Sequence, residues 1–414
     1  MDNTNDSKNK LTSINLVAVK PPTFKETYRT GLKWVQWGND NLYPNYIMAL
    51  FMGSAINGAI IKSKSKMCIG DGLILNTSND VIKDSRSQQF INVCNHFGES
   101  LSSVYSKCAF DFNLYGGYAI KLNFKRDKSI SEITHVDFSR IRLGEYNDAE
   151  EIETCWVSSN WARYMSYKEY HPKEYLMYNG SKKQTEAIFY VKPYTSMFDY
   201  YPAVPYLNAL GDINSDSELT NFYLSQLQQG MFPPIHVEVF TPENDSTKLG
   251  RMLEDIKQDY NGTSNAGRAF FSLNDGVNHI AMNPVQNGDQ GNQFRQLQAN
   301  ILQNILSGHG VDSPMLVGIK TAGQLGGNNE ISNAWESFFS REIKPMQQQL
   351  CSTFNSLLSL NGLDTITVAN SIPIKFIFSE NILTQVLSKN ELREALGYEL
   401  EDQQDINKDT QTTV

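Results

Sequence analysis

The longest regular pattern of apolar and polar positions lies in the C-terminal half of the chain. From Glu330 to Leu358, apolar residues recur at intervals of one, three or four, a spacing that places them on one face of a helix. At ~1.5 Å per residue, that helix would be about 43 Å long. Its apolar residues are Ile331, Trp335, Phe338, Phe339, Ile343, Met346, Leu350, Phe354 and Leu357. Pro345 removes a backbone hydrogen bond and crowds the preceding turn, so we predict a kink near Arg341–Lys344.

A glycine-rich loop, residues 313–329, precedes this helix. Its four glycines leave the backbone free to adopt positive φ and to change shape; they are Gly318, Gly323, Gly326 and Gly327. A loop of this length inside a folded chain is usually functional or disordered. Two interpretations therefore stay open, a mobile functional loop and a disordered loop in front of an ordinary core helix.

The first half of the chain combines helical periodicity with strict alternation. Two tryptophans, Trp34 and Trp37, adjoin a Gly-Asn-Asp-Asn turn and suggest a docked aromatic anchor. Between residues 118 and 190, short alternating runs predict antiparallel strands; they are YAIKLNF, ITHVDF, IRLGEY, IETCWVS, EYLMYN and AIFYVK. Helices are predicted at Ser54–Met67, Ser87–Phe97 and Leu101–Asn113, with a strand at Leu73–Leu75. These elements predict an α+β fold.

The middle of the chain predicts two helices around a compact insert. Apolar stripes mark Pro202–Gly230 and Gln293–Leu306 as the helices, and the first carries an acidic cluster, Asp212, Asp216 and Glu218. The insert reads as β-α-β-β, with an Asp-Gly hairpin turn before its last strand. Its elements are predicted at Ile235–Phe240, Lys248–Tyr260, Ala269–Leu273 and Val277–Met282. Beyond the long helix we expect one or two strands in residues 365–380 and a helix at Leu383–Leu396.

Composition and charge exclude several classes of function. The chain has 414 residues and a formal net charge of −9, which argues against tight binding of nucleic-acid phosphates. We expect neither a signal peptide nor a membrane span, because no apolar run is long enough. The five cysteines are widely spaced without a CxxC pair, which argues against a disulfide framework or a zinc site; they are Cys68, Cys94, Cys108, Cys155 and Cys351.

The sequence contains few motifs that are typical of catalysis or metal binding. There is no phosphate-binding GxxxxGK[ST] motif, no GxGxxG after a strand and no GxSxG elbow. The six histidines lack metal-ligand spacing; they are His96, His135, His171, His236, His279 and His309. His135 and Asp137 would share one face of a strand, and His309 between two glycines suits a helix end better than a metal. We therefore predict a protein that is not an enzyme and needs no cofactor.

The order of these elements resembles that of a tailed-phage portal protein of the HK97-like type found in phages of Bacteroidetes. The matching segments span residues 34–358: WVQWGNDNLYP with the following helix and Gly70-Asp71-Gly72, the stretch from NAGR to NDG, GHGVDSPMLVGI, and GGNNEISNAWESFFSREIKPMQQQL. The resemblance implies the portal-protein fold, with an α/β wing, a two-helix stem, a small β-α-β-β clip, a glycine-rich tunnel loop, a long kinked helix and a short helical crown.

The resemblance also divides the chain. It implies a disordered tail at residues 1–13, the N-terminal wing at 14–201, stem helix 1 at 202–230, the clip at 231–290, stem helix 2 at 291–308, the tunnel loop at 309–329, the long helix at 330–360, C-terminal wing strands at 361–381, a crown helix at 382–400 and a disordered tail at 401–414. The crown is shorter than in larger members of the family.

The implied function is a homo-oligomeric ring, with twelve copies expected, at one capsid vertex of the virion. The ring would be assembled in the bacterial host cytoplasm, pass double-stranded DNA during packaging and ejection, and contact the terminase large subunit, the major capsid protein and head–tail adaptor proteins. No membrane partner is expected.

The resemblance assigns a role to several residues. DNA-facing residues of the tunnel loop are Lys320, Thr321, Gln324, Asn328 and Asn329, and the acidic stem wall is Asp212, Asp216 and Glu218. Loop hinges are Gly318, Gly323, Gly326 and Gly327; motor-docking residues of the clip are Lys248, Arg251, Glu254, Asp255 and Arg268; and Pro345 sets the helix kink.

Two alternatives remain at this stage. One is another head–tail connector component of a virion. The other is a nucleic-acid-processing enzyme in which Asp71, Asp137, Asp212 and Asp216 would bind Mg²⁺, although their spacing in the sequence does not bring them together.

Overall fold

The computed structural model describes residues 24–76, 85–180, 184–228, 236–240, 270–274, 290–319 and 328–370. Both predicted tails, the clip helix Lys248–Tyr260, the clip strand Val277–Met282, the helix at Leu383–Leu396 and the motor-docking residues lie outside the described residues. The mixed helix and strand content confirms the predicted α+β class.

The helices agree closely with the apolar periodicity. The described α-helices are α1 (Tyr43–Gly53), α2 (Ala55–Ile69), α3 (Ser85–Asn92), α4 (Leu101–Tyr115), α5 (Leu210–Gln228), α6 (Gln290–Gly308), α7 (Asn328–Phe338) and α8 (Lys344–Ser359). Helix α3 ends earlier than predicted, at Asn92, and α5 begins later than the predicted Pro202, at Leu210. Helix α1 was not predicted at all. Its signals are Pro44 in the first turn and the buried face formed by Tyr43, Ile47 and Leu50.

The strands form small sheets. They are β1 (Glu26–Thr27), β2 (Gln36–Trp37), β3 (Leu73–Leu75), β4 (Tyr118–Phe124), β5 (Ile130–Val136), β6 (Ile141–Leu143), β7 (Thr154–Val157), β8 (Lys173–Leu176), β9 (Glu186–Val191), β10 (His236–Phe240), β11 (Phe270–Asn274) and β12 (Ile366–Val368). Two antiparallel sheets, ordered β5-β4-β9 and β6-β7-β8, confirm the predicted antiparallel region. Strand β12 pairs with β3, which ties the C-terminal part to the first half.

The core lies between α2, α4 and the sheet β5-β4-β9. On this sheet Leu122 stands opposite both Ile133 and Ala187, and all three side chains are fully buried. Helix α4 begins at the cap residue Ser100, whose hydroxyl accepts a hydrogen bond from the Ser103 amide. It ends at Gly116, which takes the left-handed φ of 85° where a side chain would collide with the Ala203 backbone.

A buried arginine explains the tryptophan-rich anchor. The Arg142 guanidinium is fully buried, donates to the Asn41 side-chain and backbone oxygens, and lies 4.8 Å from the Trp161 ring centroid. Asn41 adopts a φ of 65°, which these bonds and its bond from the Trp37 amide hold in place. The Trp37 ring stacks on Tyr201 at 4.5 Å. The anchor is therefore a packed junction between the N-terminal segment and β6.

The long helix is interrupted where the kink was predicted. Helix α7 ends at Phe338, a π-helical turn covers Phe339–Ile343, and α8 begins at Lys344 with Pro345 in its first turn. Proline has no N–H and its ring excludes the carbonyl four residues earlier. A wider turn directly before it relieves both conflicts.

Within the residues that the structure describes, no single helix is long and apolar enough to cross a membrane. Helices α1 and α2 meet the length and composition criterion only together, across a bend of 101°.

Candidate functional site: the stem helices and the base of the glycine-rich loop

The two predicted stem helices, α5 and α6, pack side by side. The rings of Phe222 and Phe294 stack with 6.1 Å between centroids, and Asn304 Nδ2 donates to Asp212 Oδ1 at 3.1 Å. At the end of α6, Gly308 lies so close to Ala209 that a side chain there would overlap it. Helix α6 thus contacts α5 through the aromatic stack, and its C-terminal end contacts the 3-10 turn Leu207–Ala209 directly before α5.

The acidic cluster of α5 is divided between two environments. Asp212 is bound to Asn304, and Asp216 accepts a 2.6 Å hydrogen bond from the Ser54 hydroxyl, which also caps α2. Both side chains are partly buried, whereas Glu218 is exposed. The expected uniform acidic face therefore needs correction, because two of its three carboxylates also join α5 to neighbouring helices. A role of these residues toward DNA stays a prediction.

The first part of the glycine-rich loop is ordered. Pro314–Val317 form a 3-10 turn in which Pro314 and Val317 are buried, and Gly318 ends it with a φ of 78°. Helix α7 begins at Asn328, so Asn328 and Asn329 lie in a helix and not in a loop, which corrects the predicted boundary at Glu330. Lys320, Thr321, Gly323, Gln324, Gly326 and Gly327 lie outside the described residues.

A buried lysine connects the base of this loop to α2. Lys64 Nζ donates to the His309 carbonyl at 3.0 Å and pairs with Glu342 Oε2 at 3.2 Å. Its ammonium also lies 5.9 Å from the Phe338 ring centroid. Since Glu342 belongs to the π-helical turn, one side chain of α2 holds both the end of α6 and the interrupted long helix. The sequence pattern gave no signal for this, because Lys64 occurs in an ordinary KSKSK run.

An exposed arginine closes the same junction from the solvent side. The Arg341 guanidinium donates to the Gly310 carbonyl and to Asp312 Oδ1, each at 2.8 Å. Gly310 has a φ of 69°, and a Cβ there would come within 2.8 Å of the Glu342 carboxylate. This position therefore favours glycine because of its positive φ.

His309 is enclosed at the end of α6, as the sequence suggested for a helix end. Its Nε2 donates to Asn57 Oδ1 at 2.9 Å, and its ring stacks on Tyr206 at 4.6 Å. Burial, with the nearby Lys64 charge, lowers the pKa of His309 to about 3. The imidazole is therefore neutral throughout the physiological pH range.

The depressed pKa of His309 predicts acid sensitivity. An unfolded histidine has a pKa of about 6.5, so between that pH and about 3 the unfolded chain binds a proton that the folded chain does not. Stability should fall as pH decreases, by about 2 kcal/mol from pH 7 to pH 5 for this one group. Chemical unfolding of the His309→Gln variant should show that much less pH dependence. The exposed His171→Gln is the control, and an unchanged slope in His309→Gln would contradict the assignment.

The histidine and aspartate pair expected on β5 has a different partner. His135 Nε2 lies 2.7 Å from Asp111 Oδ2 of helix α4, while Asp137 accepts from the Ser139 amide and caps a 3-10 turn. Burial raises the pKa of Asp111. Among the described residues no three His, Cys, Asp or Glu side chains are grouped to hold a metal ion.

No protein-family model matches the sequence, and no curated protein matches it either. Solved structures do match. A chain in the neck of a native gene transfer agent particle, computed with C12 symmetry, matches with a TM-score of 0.54 at 15% identity, over 86% of this chain and 94% of that one. A chain from the virion of the native particle matches with a TM-score of 0.53 at 14% identity and the same coverage.

An HK97-family phage portal protein from Corynebacterium diphtheriae matches with a TM-score of 0.41 at 9% identity, over 82% of this chain and 96% of that one, which is too low to support an argument. The two particle chains establish a shared fold. The fold of this chain is that of a chain in the neck of gene transfer agent particles.

Proposed function

We propose that this chain is a portal protein, a homo-oligomeric ring at one capsid vertex whose channel passes double-stranded DNA. The main support is the neck chain of the gene transfer agent particle, which has the same fold over 94% of its length and occurs in a neck with C12 symmetry. Twelve copies in the virion are therefore the expected state of this chain as well.

The stem gives this proposal a physical basis. Helices α5 and α6 carry large apolar side chains that are partly exposed to solvent in the isolated chain. They are Phe222, Tyr223, Leu224 and Leu297. Grouped apolar side chains on a surface mark interaction sites. A neighbour placed by a rotation would cover them, and such head-to-tail contacts close into a ring.

The charge of the stem suits a channel for DNA. Helix α5 carries three carboxylates and no basic residue. Each phosphate that a protein neutralises adds affinity and salt-dependent retention, so a duplex moves most freely past an acidic or neutral wall. We assign Glu218, with Asp212 and Asp216 beside it, to this wall, and Lys320, Thr321, Gln324, Asn328 and Asn329 to grazing contacts at the tunnel loop.

The clip is proposed to dock the terminase and then the head–tail adaptor proteins. Strands β10 and β11 pair in parallel, as a β-α-β crossover requires. The docking residues proposed there are Lys248, Arg251, Glu254, Asp255 and Arg268. No specific observation favours a magnesium-dependent enzyme, since the described residues contain no grouped set of metal ligands.

The experiment that tests the proposal is native mass spectrometry of the purified protein, with negative-stain class averages. The expected particle has twelve times the subunit mass of 46.8 kDa and a central hole. The same measurement is made on protein co-expressed with the major capsid protein, because a subunit that assembles only on the capsid would form rings in that sample. A stable monomer or dimer in both conditions would contradict the proposal, and Mg²⁺-dependent DNA cleavage by that small species would replace it with an enzyme.

A further inference from the structure

The sheet β6-β7-β8 carries unlike surfaces at its two ends. Strand β7 begins after an acidic hairpin turn and ends before a basic loop, and β8 runs antiparallel to it, with Leu176 opposite Thr154 and Lys173 opposite Val157. Four residues of strand separate the ends by roughly 13 Å at ~3.3 Å per residue. The two surfaces therefore face away from each other along the strand direction.

At one end lies a cavity of about 520 Å³, here called the acidic socket. Its walls include the carboxylates of Glu151 and Glu153 and the apolar side chains of Leu176 and Met177. Leu176 is 48% exposed, so the apolar wall is open to solvent. Glu153 accepts a hydrogen bond from Asn147, while the Glu151 carboxylate has no ion pair or hydrogen bond to another described residue.

One wall of the socket is formed by a buried glutamine, Gln184. Gln184, which lines the cavity, is 8% exposed and donates from Nε2 to the Met177 carbonyl, while its Oε1 has no hydrogen-bond partner among the described residues. Two glutamates and an aliphatic wall together fit an arginine or lysine side chain, whose stem is apolar and whose head only donates.

At the other end, residues 160–170 form a projecting loop, here called the basic knob. It presents two exposed cations, Arg163 and Lys168, and one exposed carboxylate, Glu169, so its net charge is positive. No ion pair or side-chain hydrogen bond of either cation is found in the part of the chain that the structure describes. Met165 is 80% exposed and Tyr167 is 50% exposed. Exposed Met, Tyr and Arg side chains are the types enriched at protein interfaces.

The base of the knob is rigid although its tip is exposed. Tyr164 packs edge-on against Trp34 at 5.6 Å, and Trp161 Nε1 donates to the Arg140 carbonyl at 2.8 Å. The Ser158 hydroxyl donates to the Tyr170 carbonyl at 2.6 Å and closes the loop. A loop held in one conformation loses little freedom when it binds.

We propose that the basic knob of one subunit inserts into the acidic socket of a second copy of this chain. Because knob and socket lie at opposite ends of one sheet, the contact is head-to-tail, and repetition of such a contact produces a ring or a filament. This inference rests on the proposed ring and names the contact that joins neighbouring wings. Arg163 and Lys168 supply the charge for Glu151 and Glu153, and Met165 covers the apolar wall.

Disulfide crosslinking tests the contact. All five native cysteines are buried and unpaired, so thiols introduced at the surface report selectively. The double variant Glu151→Cys/Arg163→Cys, oxidised at assembly concentration, should give a ladder of covalent oligomers on non-reducing gels, up to the size of the ring. Each single variant should stop at dimers. The double variant Glu145→Cys/Arg163→Cys, which places the thiol on the same hairpin outside the socket, should give at least tenfold less ladder.

Charge exchange provides the second measurement. Glu151→Lys/Glu153→Lys should reduce ring formation at least tenfold in native mass spectrometry, and adding Arg163→Glu/Lys168→Glu to the same chain should restore it. If the wild type forms rings but neither the ladder nor the loss on charge reversal is seen, this contact is wrong and the ring proposal stands. If the wild type forms no rings and the double cysteine variant gives no ladder, both this contact and the ring proposal are wrong.

Discussion

Replacing Arg142 with leucine should lower the free energy of unfolding by about 3–5 kcal/mol. Its guanidinium is fully buried and donates to the oxygens of Asn41 and to the Ser139 and Ile141 carbonyls. Removal takes the donor from these buried oxygens, at about 1–3 kcal/mol before relaxation for each one left unpaired; Asn41 Oδ1 keeps its bond from the Trp37 amide. It also takes the cation from between the rings of Trp37 and Trp161, where desolvated cation–π contacts contribute about 2 kcal/mol.

The same substitution should loosen the conformation of Asn41. A non-glycine residue at positive φ persists only where its surroundings fix it, and the Arg142 side chain supplies two of the hydrogen bonds that do so. Burial lowers the pKa of Arg142 to about 10, so the side chain still carries its charge at neutral pH.

Chemical unfolding followed by tryptophan fluorescence measures this effect, because four of the five tryptophans belong to the anchor and its adjoining cluster. The matched control is Arg140→Leu, two residues earlier; among the described residues its exposed side chain pairs with Asp137 alone. It should change stability by less than about 1 kcal/mol. Equal effects of the two substitutions would show that Arg142 stabilises the fold no more than a surface residue does.

Replacing Lys64 with methionine should destabilise the base of the glycine-rich loop by about 2–3 kcal/mol. The substitution keeps the aliphatic stem but leaves the His309 carbonyl and the Glu342 carboxylate without their buried cation. Breaking one side of a buried pair costs about 3–5 kcal/mol. We expect less here, because Glu342 is 29% exposed and can regain water.

Hydrogen exchange measured by mass spectrometry locates this effect. Amides of residues 305–319 and 338–346 should exchange several-fold faster in Lys64→Met, while those of the sheet β5-β4-β9 should not change. Lys66→Met, an exposed lysine of the same helix, is the control and should leave both segments unchanged. Uniformly faster exchange would mean that Lys64 supports the whole core and has no particular role at the loop.

The sequence predicted most helices and strands because their patterns are local. The alternating runs YAIKLNF and AIFYVK became β4 and β9, and the apolar stripe from Glu330 to Leu358 became α7 and α8. The position of the break in the long helix was also predictable, since it follows from the missing N–H of Pro345. Only the form of the break, a π-helical turn, was not.

The errors have a common physical origin. Helix α1 was missed because the turn signals of Gly38-Asn39-Asp40-Asn41 directly precede it and its stripe is short. Asp212 and Asp216 were interpreted as an open acidic face because the sequence does not show that Asn304 and Ser54 lie beside them. His135 was matched with Asp137 on its own strand, whereas its partner, Asp111, comes from helix α4.

The sequence by itself thus determined the α+β class, the stem helices, the long interrupted helix and the resemblance in order of elements to a portal protein. Only the tertiary structure decided which polar side chains are buried and with what partners. Lys64 bonds to Glu342 across 278 residues of chain, and Arg142 to Asn41 across 101. Periodicity within a segment reports that one face is buried, but the group that meets a buried charge is set by packing between distant segments. For that reason the loop base and the two unlike ends of the sheet β6-β7-β8 emerged from the structure alone.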